Sequence, residues 1–297
     1  MKEFLTKYNL QLNAEEFEKE IIKIKEEAKS NCSADNLKVA LGAIDLTSLH
    51  TSDTPEFIES FTNKVNHFTA TYPQYPLPAS VCVYPNFAKI VRATLKEKEV
   101  GITTVSACFP SSQSWLDVKE LETRHVIEEG ATEIDIVLPH NSFINGNLDA
   151  CARELKLLRQ VTEGKTLKVI LESGALQTNF PTLQEGIEAI AAASFLALEC
   201  GADFIKTSTG KQEPSATPIA ALTMCKCLKA FMEKTGARRG FKPAGGISTS
   251  EDAILYLTIV EKILGKEQLS PKYFRIGASS LANKILTSLE GTTVKFY

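Results

Sequence analysis

The sequence has no long hydrophobic run, no excess of either charge sign, and little glycine or proline. Its longest nearly apolar stretch, Ala189 to Leu198, is ten residues between two glutamates, well short of the roughly 18 or more that a membrane span needs. The 33 basic residues are matched by 36 acidic ones, a net charge of −3, so nothing electrostatic points to nucleic acid or a membrane surface as a partner. With 12 Pro and 16 Gly in 297 residues, collagen-like, low-complexity and disordered classes are excluded. Compact cysteine motifs are missing as well. Cys32, Cys82, Cys108, Cys151, Cys200, Cys225 and Cys227 are an odd number of thiols scattered over a chain too large to need staples, which favours reduced cysteines and a cytoplasmic location. Neither Cys225-Lys226-Cys227 nor His50, His67, His125 and His140 offers the spacing of a metal site. The N-terminus mixes Glu15, Glu16, Glu18 and Glu20 with Lys19, Lys23 and Lys25, unlike a transit peptide or secretory signal.

What is present is an ordinary share of apolar residues, 43%, in a length that suits two small domains or one large single-core fold. The first 40 residues read as helical, because Phe17, Ile21, Ile24 and Ala28 recur at three- and four-residue steps. Asn13, with Glu16 three residues on, is the expected N-cap. The pattern then changes to short apolar runs: Ala40–Leu46, Ser80–Tyr84, Thr103–Phe109, Glu133–Leu138, Leu167–Leu171, Phe204–Ser208, Gly240–Ala244 and Tyr273–Ala278. Amphipathic segments of helical period lie between most of them, including Thr54–Phe68, Phe87–Lys98, Ser114–Glu129, Asp149–Thr162, Thr182–Cys200, Pro218–Thr235 and Ser250–Leu264, and Leu281–Leu289 closes the series. Eight alternating units without a linker predict an α/β fold of the (β/α)8, TIM-barrel type over residues 41–297. Residues 1–40 are expected to form a helical extension packed on it. A doubly wound open sheet is the alternative, but it lacks a glycine-rich fingerprint after the first strand.

Strands covered on both faces should be almost wholly apolar, so the charges within them are informative. Asp45, Asp135, Lys206 and Lys242 interrupt such runs, and Glu172 and Arg275 lie close to the fifth and eighth. Desolvating an unpaired charge costs several kcal/mol, so each must be paired, hydrogen-bonded or neutralised. Lys206 and Lys242 are one βα unit apart, which places them on adjacent strands facing one interior. Two close ammonium groups disfavour each other's protonation, so either could be the neutral amine that a nucleophile requires. Asp135 could receive or relay protons in the same cavity. The alternative is an interior salt-bridge layer, with Asp135 on one lysine and Glu172 on Arg275.

Glycine-bearing stretches follow the last three strands: Thr207-Ser208-Thr209-Gly210-Lys211, Pro243-Ala244-Gly245-Gly246-Ile247-Ser248 and Ile276-Gly277-Ala278-Ser279-Ser280. Barrel phosphate sites form at such strand ends, where backbone N–H groups and a helix N-terminus receive the anion. A phosphorylated substrate is therefore favoured over ordinary turns.

Ile44-Asp45-Leu46-Thr47, Val81-Cys82-Val83-Tyr84-Pro85, Glu133-Ile134-Asp135, Phe204-Ile205-Lys206-Thr207-Ser208-Thr209-Gly210, Lys242-Pro243-Ala244-Gly245-Gly246 and Gly277-Ala278-Ser279-Ser280 together resemble the deoxyribose-phosphate aldolase family, in its eukaryotic-type branch. The resemblance implies a class I aldolase that interconverts 2-deoxy-D-ribose 5-phosphate with D-glyceraldehyde 3-phosphate and acetaldehyde, in deoxyribose phosphate catabolism. Lys206 matches its Schiff-base lysine, and Lys242 and Asp135 its proton donors and acceptors. Asp45, Cys82 and Thr209 match supporting positions, and Gly210, Lys211, Gly245, Gly246, Gly277, Ser279 and Ser280 match phosphate contacts. The C-terminal Tyr297 resembles a tyrosine that ends some bacterial relatives and is a candidate to reach the site. Ser248 stands where many relatives carry Arg, which implies weaker phosphate discrimination or compensation by Lys211 and helix-terminal amides. No cofactor is implied, since the lysine itself supplies the electron sink. The implied partners are the sugar-phosphate and aldehyde substrates, with a homo-oligomer possible. A Schiff-base barrel lyase or transaldolase for another sugar phosphate, and an inactive barrel kept as a scaffold, are the competing readings. A metal-dependent aldolase is disfavoured because no histidine cluster could hold the ion.

Overall fold

Eight of the short apolar runs become eight parallel strands in the computed structural model, which describes residues 2–297. They are β1 (Ile44–Thr47), β2 (Ser80–Val83), β3 (Gly101–Val105), β4 (Glu133–Val137), β5 (Thr166–Ile170), β6 (Phe204–Lys206), β7 (Gly240–Lys242) and β8 (Ile276–Ala278). The sheet order runs β7-β6-β5-β4-β3-β2-β1-β8, and the bridges Phe241 to Phe274 and Ala244 to Gly277 bring its two ends together. The result is a nearly closed (β/α)8 barrel, with helices between successive strands. Register sets the interior: Asp135 lies beside Lys168 across β4 and β5, and Lys206 beside Lys242 across β6 and β7.

Three helices precede the barrel: α1 (Lys2–Lys7), α2 (Ala14–Ser30) and α3 (Ala34–Gly42). The Asn13 side chain accepts from the Glu16 amide at 3.1 Å, and α2 buries Phe17, Ile21, Ile24 and Ala28, the face that the periodicity marked. That face packs on the helices Pro218–Thr235 and Ser250–Leu264, while α1 packs on the helix Leu183–Glu199. Tyr8, just past α1, stacks on Phe195 with ring centroids 4.1 Å apart. The N-terminal layer thus buttresses the helices that follow β5, β6 and β7, two of which carry Lys206 and Lys242.

Several boundaries differ from the sequence reading, among them β3, which begins at Gly101 and ends at Val105, and β8, which begins at Ile276. Ala40 to Gly42 end a helix rather than begin a strand, because Leu37, Ala40 and Leu41 still share one helical face and all are buried. The segment Phe87–Lys98 is helical only as far as Thr94; beyond it the Lys96 amide donates to Asn66 Oδ1 at 2.8 Å. Short helices at His140–Ile144 and Ser173–Thr178, each near a strand's C-terminal end, had no periodic signal long enough to reveal them.

Candidate active site

A file of charged side chains fills the barrel where apolar layers would ordinarily sit. Near its N-terminal end, the Arg275 guanidinium donates to Glu133 Oε1 at 2.9 Å, to Glu133 Oε2 at 3.0 Å and to Asp45 Oδ1 at 2.6 Å. Lys168 comes next, in contact with Glu133, with Asp135 Oδ1 at 3.0 Å and with Thr103 Oγ1 at 3.2 Å. Asp135 Oδ2 then accepts from two ammonium groups, Lys206 at 2.7 Å and Lys242 at 2.8 Å, and Lys242 also donates to Asp45 Oδ2. Gly277 makes room for Lys242: a Cβ there would stand 3.2 Å from Lys242 Cε and 2.8 Å from Ala244 Cβ. Asp45, Asp135, Lys168 and Lys242 are wholly buried, and Lys206 is 3% exposed.

The file holds three carboxylates and four basic groups, so it reaches neutrality when one lysine gives up its proton. Of its three lysines, Lys206 is the one whose pKa is lowered. Burial lowers its pKa, and the Lys242 charge adds to the effect against a single partner, Asp135. For Lys242 and Lys168 burial acts in the same direction but is outweighed, by Asp135 and Asp45 for Lys242 and by Asp135, Glu133 and Asp45 for Lys168, so both are raised. Burial pushes the three carboxyls up, yet their cations win and hold all of them below the ordinary carboxylate range. An amine poised to be neutral beside a carboxylate that it shares with a firmly protonated lysine is suited to nucleophilic attack and proton relay. The charge pattern alone left open which lysine would lose its proton more readily; burial and the nearby Lys242 charge favour Lys206, the lysine that the family resemblance named.

Above Lys206, a cavity of about 280 Å³ opens at the C-terminal ends of the strands. Thr209, Gly210, Lys211, Gly245, Gly246, Ser248, Gly277, Ser279 and Ser280 all line it, so the three glycine-bearing stretches converge as their spacing suggested. Gly245 adopts φ +82°, and a Cβ on it would lie 2.7 Å from Ser215, so no other residue fits that turn without strain. Ser279 and Ser280 immediately precede the helix Leu281–Glu290, whose N-terminal amides and dipole favour an anion. The Lys211 ammonium donates to the Leu49 carbonyl across the mouth. The Ser248 amide donates to Asp252 Oδ2 at 3.2 Å, and the position brings no cation to the cavity. Cys82 is buried and packs with Leu49 and Val105, with Tyr84 and Phe109 against them; of this cluster only Leu49 lines the cavity.

Other expectations land elsewhere. Glu172 and Arg275 do not pair. Glu172 follows β5 at its C-terminal end, while Arg275 precedes β8 at its N-terminal end, so the barrel height separates them. Glu172 instead accepts hydrogen bonds from Thr209. Tyr297 is not among the residues lining the cavity. Its ring stacks on Phe68 at 5.6 Å, and Asn283 holds the tail by accepting from the Phe296 and Tyr297 amides at 2.9 Å each. The sequence reading missed Lys168 and Glu133, although both, like Asp135, are charges within the strands. It also missed His50, which lines the cavity but sits in a loop with no motif around it.

Fold and site together define a barrel enzyme with a charged interior and a glycine- and serine-lined mouth at a helix N-terminus. The profile of the DeoC/LacD family aldolases matches residues 39–283. This chain belongs to that family and is an aldolase, a carbon–carbon lyase. A human deoxyribose-phosphate aldolase is 35% identical over 286 residues, covering 90% of this chain and 84% of that protein. A Caenorhabditis elegans protein provisionally described as a deoxyribose-phosphate aldolase is 36% identical over 277 residues, covering 93% of this chain and 88% of the relative. Among solved structures, the tetrameric deoxyribose-phosphate aldolase of Aeropyrum pernix superposes with a TM-score of 0.66 at 24% identity, over 90% of this chain and 97% of that one; it supports the fold. Among the described residues, no helix is long and apolar enough to cross a membrane.

Proposed function

We propose that this aldolase cleaves 2-deoxy-D-ribose 5-phosphate, reversibly, to D-glyceraldehyde 3-phosphate and acetaldehyde through a Schiff base on Lys206. The observation that carries the reading is the shared Asp135 oxygen, with Lys206 on one side and Lys242 on the other, directly below an anion-receiving cavity. In its neutral form the Lys206 nitrogen adds to the C1 aldehyde, and uptake of one proton with loss of water gives a protonated imine. A base removes the C3 hydroxyl proton, the C2–C3 bond breaks, and its electron pair flows into the imine to leave an enamine instead of a bare carbanion. Glyceraldehyde 3-phosphate departs, the enamine carbon takes a proton, and water releases acetaldehyde and restores Lys206. Asp135 and Lys242 carry these protons, and Asp45 holds Lys242 in place. The imine is the electron sink, so the scheme calls on no cofactor.

The phosphate falls to Gly210, Lys211, Gly245, Gly246, Gly277, Ser279 and Ser280, with Lys211 and the helix-terminal amides standing in for the cation that Ser248 lacks. Thr209 shapes the turn, and Leu49, with Cys82 packed against it, suits the methyl end of acetaldehyde. Tyr297 reaches the site only if its tail leaves Phe68. Residues 41–297 form the catalytic barrel and residues 1–40 its buttress. The free thiols suit a reducing, cytoplasmic setting. Borohydride reduction in the presence of acetaldehyde, followed by peptide mass spectrometry, tests the scheme. An ethyl adduct on Lys206 is expected; an adduct on another lysine, or none, overturns it.

A further inference from the structure

Glu172 is a buried carboxylate that the chemistry above does not use. It follows β5 in the left-handed backbone region, φ +47° and ψ +54°, where a non-glycine residue is uncommon and persists only when its surroundings hold it. They do so here on both sides. The Leu171 amide donates to the Lys206 carbonyl at 2.8 Å, and the Ser173 amide to the Thr207 carbonyl at 2.8 Å. Two backbone bonds to the end of β6 therefore flank Glu172, and its side chain turns toward the loop beyond. There the Thr209 amide donates to Oε1 at 3.2 Å, and the Thr209 hydroxyl donates to Oε2.

Burial raises the Glu172 pKa, against the opposing pull of its Thr209 hydrogen bonds; in its ionised form the carboxylate can only accept, so the Thr209 hydroxyl donates its proton to it. Its oxygen is then left as an acceptor, and the Lys211 amide donates to it at 3.1 Å. The result is a directed chain from Glu172 through Thr209 to Lys211 that fixes the turn Thr209-Gly210-Lys211 on the wall of the cavity. A carboxylate in this place would repel an anionic substrate if it faced it. With both oxygens engaged by Thr209, it works through the turn.

We propose that Glu172 is a positioning residue for phosphate recognition: through Thr209 it holds the Thr209-Gly210-Lys211 turn in the shape that receives the substrate's terminal phosphate. The proposal rests on the phosphorylated-substrate reading above and deepens it. The flanking backbone bonds at Leu171 and Ser173 do not depend on the residue 172 side chain, so Lys206 keeps its support when Glu172 is replaced. The loss should therefore fall mainly on recognition of the phosphate.

The test compares wild type, Glu172→Ala and Glu172→Gln with 2-deoxyribose 5-phosphate and with unphosphorylated 2-deoxyribose, alongside binding of inorganic phosphate followed by thermal shift. A charge-assisted hydrogen bond sets the scale, so Glu172→Ala is expected to lower the phosphorylated-to-unphosphorylated ratio of kcat/KM by about tenfold or more, chiefly through KM. Phosphate binding should weaken to match. Gln keeps one acceptor and replaces the other by a donor, so it should recover part of the ratio, and it serves as the readable variant if Ala fails to fold. Equal losses on both substrates, or phosphate binding as tight as in wild type, overturn the proposal. Wild type that binds inorganic phosphate but does not cleave the phosphorylated sugar overturns the functional reading instead, and the phosphate measurement still decides the role of Glu172.

Discussion

Replacing Lys168 by Met removes the one interior lysine that the proposed chemistry does not use, and the structure sets the size of the effect. Lys168 and Lys206 bind opposite oxygens of Asp135, at 3.0 and 2.7 Å. Their nitrogens are thus no more than about 8 Å apart, and two unit charges at that distance repel by about 2 kcal/mol at an effective dielectric constant of about 20. That repulsion acts in the same direction as burial and the Lys242 charge, which hold the Lys206 pKa down. Without Lys168, three carboxylates face three cations with Lys206 protonated, so the charge balance that favours a neutral Lys206 is gone. Asp135, freed of one cation, attracts the proton on Lys206 more strongly, in the same direction. The ascending limb of the kcat/KM profile against pH should move to higher pH, and the rate at a pH below the limb should fall by up to about thirtyfold, the factor that about 2 kcal/mol represents. Breaking a buried charge network costs about 3–5 kcal/mol of stability, so the profile is read at a temperature where a parallel melt shows the variant folded. A folded Lys168→Met enzyme whose limb stays in place or moves toward acid refutes the reasoning, whatever happens to its maximal rate.

The same network sets the pH limits of the fold. Asp45, Glu133 and Asp135 are held below their ordinary values, so their stabilisation is present above about pH 4 and is lost as pH falls through the folded-state values. Lys168 and Lys242 are raised, so theirs is present below about pH 10.4 and lost above it. Lys206 acts the other way: its pKa is lowered, so the unfolded chain binds that proton more readily and stability should rise with pH from the folded-state value up to about pH 10.4; denaturant midpoints that fall steadily between about pH 7 and 10 would contradict the assignment. At the mouth, Gly245→Ala forces a Cβ to within 2.7 Å of Ser215 at φ +82°, a local strain of about 1–3 kcal/mol. Its KM for the phosphorylated sugar should rise more than that for the unphosphorylated one, as steady-state kinetics would show; an equal rise would place the turn outside the phosphate site.

The barrel was legible because its alternation is written in two periods at once, and the reactive set because charge inside a two-sided strand is expensive wherever it occurs. That rule, applied evenly, would also have found Lys168 and Glu133. Glu133 opens the apolar run Glu133–Leu138 and Lys168 stands second in the run Leu167–Leu171, so both sit at run edges where a charge reads as a boundary. Pairing was harder. Glu172 and Arg275 both lie near strands and carry opposite charge, but partnership depends on which end of a strand each occupies, and a boundary error of three residues reverses the answer. β8 begins at Ile276 rather than at Tyr273, and that shift puts Arg275 at the foot of the barrel. Tyr297 shows another limit. Its position depends on the Asn283 hydrogen bonds and the Phe68 ring, contacts between segments far apart in the sequence that no local pattern records.

The charged file also bears on how this enzyme could be engineered. In most barrels the inside is where extra stability is sought, by filling it with larger apolar side chains. Here, exchanging buried ion pairs for well-packed hydrophobic groups could itself raise stability by about 1–4 kcal/mol. Each such exchange would also reset the charge balance that, in the proposed mechanism, lowers the Lys206 pKa. Robustness is therefore better sought on the outer ring of helices and in the N-terminal buttress, where residues can change without altering the ionisation of the reacting amine.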